Sequence, residues 1–175
     1  MLKSSILKSM NKTDDALLLL ESAWKSYSDL GTCNEIGYQL ATELDTVGRR
    51  DEGLKIAENL LEKDPQDPIA LNFIGYVWAD RGVNLDKAYA MIKAALEMKP
   101  DDPFILDSMA WVLFKMGKPA DALIKMETVL KTLKDDPIVN EHMGDILKSL
   151  GQTDKALDYY LKSSILNRSV NNSLK

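Results

Sequence analysis

Apolar residues return three and four positions apart in successive blocks: Leu71, Ile74, Gly75 and Trp78; then Leu106, Met109, Ala110 and Leu113; then Met143, Gly144 and Leu147. That spacing gathers them on one face of a helix of about 14 residues. Asp-Pro opens each block, at Asp67-Pro68, Asp102-Pro103 and Asp136-Pro137. Proline fixes a backbone angle suited to the first helical position, and the aspartate before it can accept hydrogen bonds from the open amides of the first turn. Gly82, Gly117 and Gly151 close the blocks, and glycine takes the left-handed conformation of a helix end at low cost. A second helix is predicted after each glycine, from Asp86 to Met98, from Pro119 to Leu133 and from Thr153 to about Asn167. Such short connections force consecutive helices to pack antiparallel, so the chain reads as helical hairpins.

The hairpins recur every 34 or 35 residues, with Gly48, Gly82, Gly117 and Gly151 each followed five or six positions later by Gly53, Ala88, Ala122 or Ala156. A repeat of this length marks a stack of units that cannot bury their apolar faces alone. The expected boundaries are a partial unit and linker over 1–31, full repeats over 32–67, 68–102, 103–136 and 137–169, and a polar tail over 170–175. Ala41, Gly75, Ala110 and Gly144 on first helices, and Ala88, Ala122 and Ala156 on second helices, let the two helices of a hairpin approach closely. A large side chain at any of them is expected to overpack the contact by about 1–3 kcal/mol. Gly37 and Gly53 are expected to weaken the first full repeat by about 1 kcal/mol each relative to alanine. One extra residue in Gly82-Val83-Asn84-Leu85-Asp86 should lengthen that turn without breaking the stack. Ser28 to Gly31 inserts about three residues relative to the period, and Thr32 and Glu35 have the spacing of a capping box that restarts the helix.

Composition narrows the partner. Of 175 residues, 22 are basic and 27 acidic, for a net charge of -5. A nucleic-acid backbone or an anionic membrane surface calls for clustered Lys and Arg, and neither is expected as a partner. Cys33 stands alone, so no intrachain disulfide or thiolate metal cage can form. No stretch approaches the roughly 18 to 20 apolar residues that span a bilayer, and the opening Met1 to Lys8 lacks a signal-peptide core. A soluble, cytoplasmic chain is the expectation for these residues as they stand.

No nucleophile elbow, glycine-rich phosphate loop or metal-spaced cluster is present, and no catalytic activity or cofactor is expected. His142 is the only histidine, and with no second His or Cys in register it reads as an ordinary surface or groove residue. Phe73, Trp78, Tyr89, Tyr159 and Tyr160 fall at or beside packing positions, and Met91, Met109, Met126 and Met143 read as gap fillers of a helical core.

These features resemble the tetratricopeptide repeat, whose 34-residue pattern runs from a large apolar residue through Leu-Gly, an aromatic, an Ala and a second aromatic to a closing Pro. The second full repeat fills these places with Leu71, Ile74, Gly75, Trp78, Ala88, Ile92, Ala95 and Pro100. The third has Leu106, Met109, Ala110, Leu113, Ala122, Met126, Val129 and Lys134, and the fourth Asn140, Met143, Gly144, Leu147, Ala156, Tyr160, Ser163 and Arg168, so in both the closing place lacks its Pro. Gly37, Leu40, Ala41, Leu44, Gly53, Ala57, Leu60 and Pro65 form the weaker first repeat. The resemblance implies an all-α, right-handed superhelical solenoid of about four full repeats plus a partial N-terminal one. It also implies a non-catalytic scaffold or adaptor that binds a protein or peptide segment in a concave groove lined by the first helix of each hairpin.

Carried over residue by residue, that lining comprises Tyr38, Thr42 and Asp45; Asn72, Tyr76 and Asp80; Phe104, Asp107, Trp111 and Phe114; and Glu141, His142, Asp145 and Lys148. The carboxylate clamp of chaperone-binding relatives needs Lys, Asn and Arg where this chain has Tyr38, Thr42, Phe73, Phe104 and Ser108 or, one repeat on, Asn72, Tyr76, Ser108, Ile138 and His142. An acidic C-terminal tail is therefore not the expected ligand. Aromatic anchors flanked by Asp45, Asp80, Asp107, Glu141 and Asp145 suit a segment with apolar and basic side chains. Removing Trp111 or Tyr76 is expected to weaken binding and leave stability nearly intact. Similarity to long bacterial members of the family implies one rival, a fragment of an exported or lipid-anchored adaptor for a protease, which would be periplasmic or lipid-anchored. A second rival, a self-assembling homo-oligomeric module, follows from the sequence itself, since neither end shows an obvious polar capping helix and exposed apolar edges would stack chain on chain.

Overall fold

The computed structural model describes residues 13–27 and 34–173, and among these it contains nine helices and no strand. Residues 1–12 of the expected partial unit, the insertion at Ser28 to Gly31, Thr32 of the expected capping box and Cys33 lie outside the described residues. The helices are α1 (Thr13–Tyr27), α2 (Asn34–Thr46), α3 (Arg50–Lys63), α4 (Pro68–Asp80), α5 (Leu85–Met98), α6 (Pro103–Lys115), α7 (Pro119–Val129), α8 (Pro137–Ser149) and α9 (Thr153–Ser173). They divide into an N-terminal unit that runs through Ile74 and a C-terminal unit from Gly75 to Ser173, the boundary falling inside α4.

The start and stop signals work as their chemistry dictates. The Asp67 carboxylate accepts from the Ile69 and Ala70 amides at 2.9 and 3.1 Å, Asp102 from Phe104 and Ile105 at 3.0 and 3.3 Å, and Asp136 from Ile138 and Val139 at 2.9 and 3.1 Å. Gly48, Gly82, Gly117 and Gly151 take φ between +68° and +82°, a conformation that an L side chain adopts only with strain. The extra residue of the turn before α5 is absorbed by Asn84, which sits in the left-handed region at φ 50° as that helix's N-cap. Asparagine is among the few residues that visit this region readily.

Two helix ends differ from the sequence expectation. α7 stops at Val129 instead of Leu133, because the chain tightens into three-residue bonds, Lys131 to Thr128 and Thr132 to Val129. α9 runs on to Ser173, so the backbone of the expected polar tail is largely helical. With no glycine or proline after Gly151, nothing in the sequence interrupts it.

The core of the N-terminal unit gathers Leu17, Leu20, Leu40 and Leu44, with Trp24, Ile36 and Ile56 against them. Gly37 and Gly53 are integral to it. A Cβ on Gly37 would meet the Trp24 ring at 2.7 Å, and one on Gly53 would meet the Ala41 carbonyl oxygen at 2.8 Å. The expected weakening of the first repeat by these glycines is therefore corrected: their missing side chains let a tryptophan and a backbone into the space. Lys63 lies 5.5 Å above the Trp24 ring, and Arg49 ties α1 to α3 through Glu21 at 2.8 Å and Glu52 at 2.7 Å.

In the C-terminal unit Ala88, Ile92, Ala110, Val112, Ala122, Met126 and Ile146 are wholly enclosed. Each fully buried large side chain is worth about 1.5–3 kcal/mol. Gly75 sits against Ile92 and the Ala88 carbonyl, where a Cβ would lie 2.7 and 3.0 Å away. Gly144 does the same for the Tyr160 ring, which a Cβ would meet at 2.5 Å. Close approach at small residues thus closes both the α4–α5 and α8–α9 hairpins.

Candidate functional site

In the C-terminal unit α6 lies against α8, and together with the last turns of α4 these first helices carry ten of the residues expected to line a groove. Trp111 on α6 is only 5% exposed. Its indole N–H donates to Asp80 Oδ1 on α4 at 3.2 Å, and its ring stacks on the His142 imidazole of α8 with centroids 4.0 Å apart and planes 16° from parallel. Phe114 extends the stack at 5.1 Å, the Lys115 ammonium lies 5.0 Å over the indole, and Tyr76 approaches the imidazole at 6.2 Å.

His142, at 4% exposure, is not the surface or groove residue expected of a lone histidine. Its Nδ1 lies 3.0 Å from Asp107 Oδ1 on α6, and because an ionised carboxylate only accepts, Nδ1 is the donor. Asp107 is itself buried, so each partner satisfies a polar atom of the other. One chain of contacts, Asp80 to Trp111 to His142 to Asp107, therefore links three successive first helices.

The burial of Trp111 also changes what its removal does. Losing a side chain of that size from an enclosed site costs about 3–5 kcal/mol, so the expectation that Trp111→Ala leaves stability intact is corrected.

Asp145 accepts from the Tyr160 hydroxyl at 2.7 Å, which turns this groove position toward hairpin closure. Burial, then the hydrogen bond and negative charge of Asp145, push that hydroxyl's pKa up to about 12. What stays exposed on this face is Phe104, at 60%, with Glu141 and Lys148. Ile138, exposed at 54%, occupies on α8 the repeat position that Phe104 holds on α6. An open cavity of about 360 Å³ is lined by Glu141, Tyr160, Ser163, Ser164, Asn167 and Arg168, with none of the stacked rings in its wall.

The N-terminal unit holds the other four expected residues. Tyr38 donates its hydroxyl to Asp67, the cap of α4, and burial followed by that hydrogen bond raises the tyrosine's pKa well above its ordinary value. Asp45 pairs with Arg50, Thr42 is exposed and donates to the Tyr38 carbonyl at 2.9 Å, and Asn72 is half-buried.

Sequence spacing places these residues on the proper helices but misses the bonds between repeats. Asp107 and His142 are 35 residues apart and Asp80 and Trp111 31 apart. The period itself carries the signal, because it brings an acid and its donor one repeat away into register. Among the described residues no group of three or more His, Cys, Asp or Glu side chains could hold a metal ion, and no helix is long and apolar enough to cross a membrane.

Comparison with known proteins agrees with this architecture. Two models of the tetratricopeptide repeat match residues 38–103 and 139–168, together more than half of the chain. A TPR repeat-containing protein of Pseudomonas aeruginosa is 26% identical over 145 residues, which cover 83% of this chain and 24% of that protein. The chain thus spans about a quarter of the length of this curated relative. The crystal structure of a thermophilic TPR protein of Thermus thermophilus superposes with a TM-score of 0.73 at 21% identity, covering 98% of this chain and 95% of the other. MamA from Desulfovibrio magneticus RS-1 gives a TM-score of 0.62 at 16% identity, covering 95% of this chain and 92% of its own. At these identities the structures speak for the fold, an all-α helical-repeat solenoid. The chain belongs to the tetratricopeptide repeat family, whose fold generally mediates protein–protein interaction.

Proposed function

We propose that this chain is a non-catalytic scaffold or adaptor that binds a protein segment along the first helices of its repeats. The observation that carries the reading is Phe104, a large aromatic side chain left 60% exposed on a face whose other aromatic residues are buried or half-buried. Exposed aromatics on a rigid helix are typical anchors for a partner. Glu141 and the half-buried Asp145 add negative charge to the same face, with Lys148 the exposed cation there. The ligand is then an extended or helical segment that offers apolar side chains to Phe104 and basic ones to the carboxylates. Tyr38, Thr42, Asp45 and Asn72 carry the corresponding face of the N-terminal unit.

Short synthetic peptides that alternate leucine with arginine, set against the same peptides with glutamate in place of arginine, test this reading by fluorescence anisotropy. The basic series binds, weakens as salt rises, and loses affinity to the Glu141→Lys variant. Equal binding of the acidic and basic series, or none by either, contradicts it.

A further inference from the structure

The outer side of α9 differs from its counterparts in the earlier hairpins. Counted from the small residue that starts each second helix, Ala88, Ala122 or Ala156, the fifth and ninth positions hold Lys93 and Glu97 on α5, Glu127 and Lys131 beside α7, but Leu161 and Ile165 on α9. The earlier pairs are exposed charges, as a solvated helix face requires. On α9, Leu157, Leu161 and Ile165 are exposed at 55%, 54% and 63%, one helical turn apart and in line. Exposed Asp154 stands three residues before this stripe and exposed Arg168 three residues after it.

The spacing from Asp154 through Leu157, Leu161 and Ile165 to Arg168 is three, four, four and three, symmetric about Leu161. If two such helices meet antiparallel, Leu161 lies on its own copy, Leu157 faces Ile165, and Asp154 faces Arg168 at both ends. Asp158, the acid nearest the stripe, then faces uncharged Ser164. A parallel pair would set Asp154 against Asp154. We propose that α9 is a homodimerisation helix and that a second copy of this chain covers the stripe in a two-fold, antiparallel contact. Self-complementarity of side-chain spacing and charge is what an interface with two-fold symmetry demands, and a different partner has no need of it. The contact uses neither Phe104 nor Glu141, although Arg168 shares a cavity wall with Glu141.

Sedimentation velocity of the full chain, from low micromolar to a few hundred micromolar, tests the proposal. The parent passes from one to two copies across this range. Leu161→Glu stays monomeric with an unchanged thermal melt. Asp154→Arg and Arg168→Asp each raise the dissociation constant by several-fold, and the double exchange restores it, because the swapped charges still meet. Phe104→Ala dimerises as the parent does. A parent that remains monomeric throughout, a Leu161→Glu variant that still dimerises, or a double exchange no better than either single change overturns the proposal.

Discussion

α2 and α6 are both first helices of their hairpins and both 13 residues long, yet they are held in different ways. α2 buries Gly37, Leu40, Ala41 and Leu44, a single stripe, and its polar side is left to Tyr38, Thr42 and Asp45. α6 buries Ile105 and every residue from Asp107 to Leu113, so it is enclosed nearly all round. The difference lies in the neighbours. Trp111 and Asp107 are covered by the next first helix through His142, whereas the polar partners of Tyr38 and Asp45 are a helix cap and the arginine that opens α3. A position that lines a face in one repeat becomes core in another when the adjacent repeat supplies a ring to stack on it.

The comparison breaks most visibly at Trp111. Trp111→Ala lowers the free energy of unfolding by about 3–5 kcal/mol in denaturant titrations, and Tyr38→Ala, from the half-buried side of α2, by about 1–3 kcal/mol. Similar losses at both sites would mean that α6 is no better enclosed than α2. Next in size is Gly53→Ala. Its Cβ meets a backbone oxygen that cannot turn aside, so the overpacking cost of about 1–3 kcal/mol exceeds the roughly 1 kcal/mol that alanine gains in a helix. A melting temperature raised by that substitution would refute the close approach of α3 to α2.

A smaller effect follows from Tyr160. Its pKa is raised from an ordinary value of 10.0 to about 12, so the folded state holds the proton more tightly than the unfolded one. The stabilisation is complete below pH 10 and is lost as pH rises toward 12. Tyr160→Phe flattens that part of the pH–stability profile, which thermal melts in alkaline buffers measure. Smallest of all is Arg49→Ala, whose exposed bridges to Glu21 and Glu52 add little to stability and weaken with salt.

Much of the fold was legible in local chemistry. Asp102 and Asp136 cap the helices they precede, and the glycines end the helices they follow, because these interactions involve residues within a few positions of one another. The early stop of α7 was not, since nothing at Thr128 to Leu133 signals the tightened turn. The groove residues were placed on the proper helices, but their burial was not legible. Whether Trp111 is open or enclosed depends on a histidine 31 residues away, and only an alignment of the chain against its own period brings the two together. The two glycines of the first repeat misled for a related reason, because propensity counts what a glycine costs its own helix and not what Trp24 or Ala41 gains beside it.

The division of the first-helix face of the C-terminal unit into an enclosed stack and the exposed Phe104, proposed as an anchor, is the centre of the account. Titration calorimetry with the basic leucine–arginine peptides tests it on two folded variants, Trp111→Phe, which keeps a ring in the stack, and Phe104→Ala. Phe104→Ala weakens binding by at least about tenfold, equivalent to about 1.4 kcal/mol, and Trp111→Phe leaves it within about twofold. Binding that survives Phe104→Ala and is lost in Trp111→Phe would contradict the account.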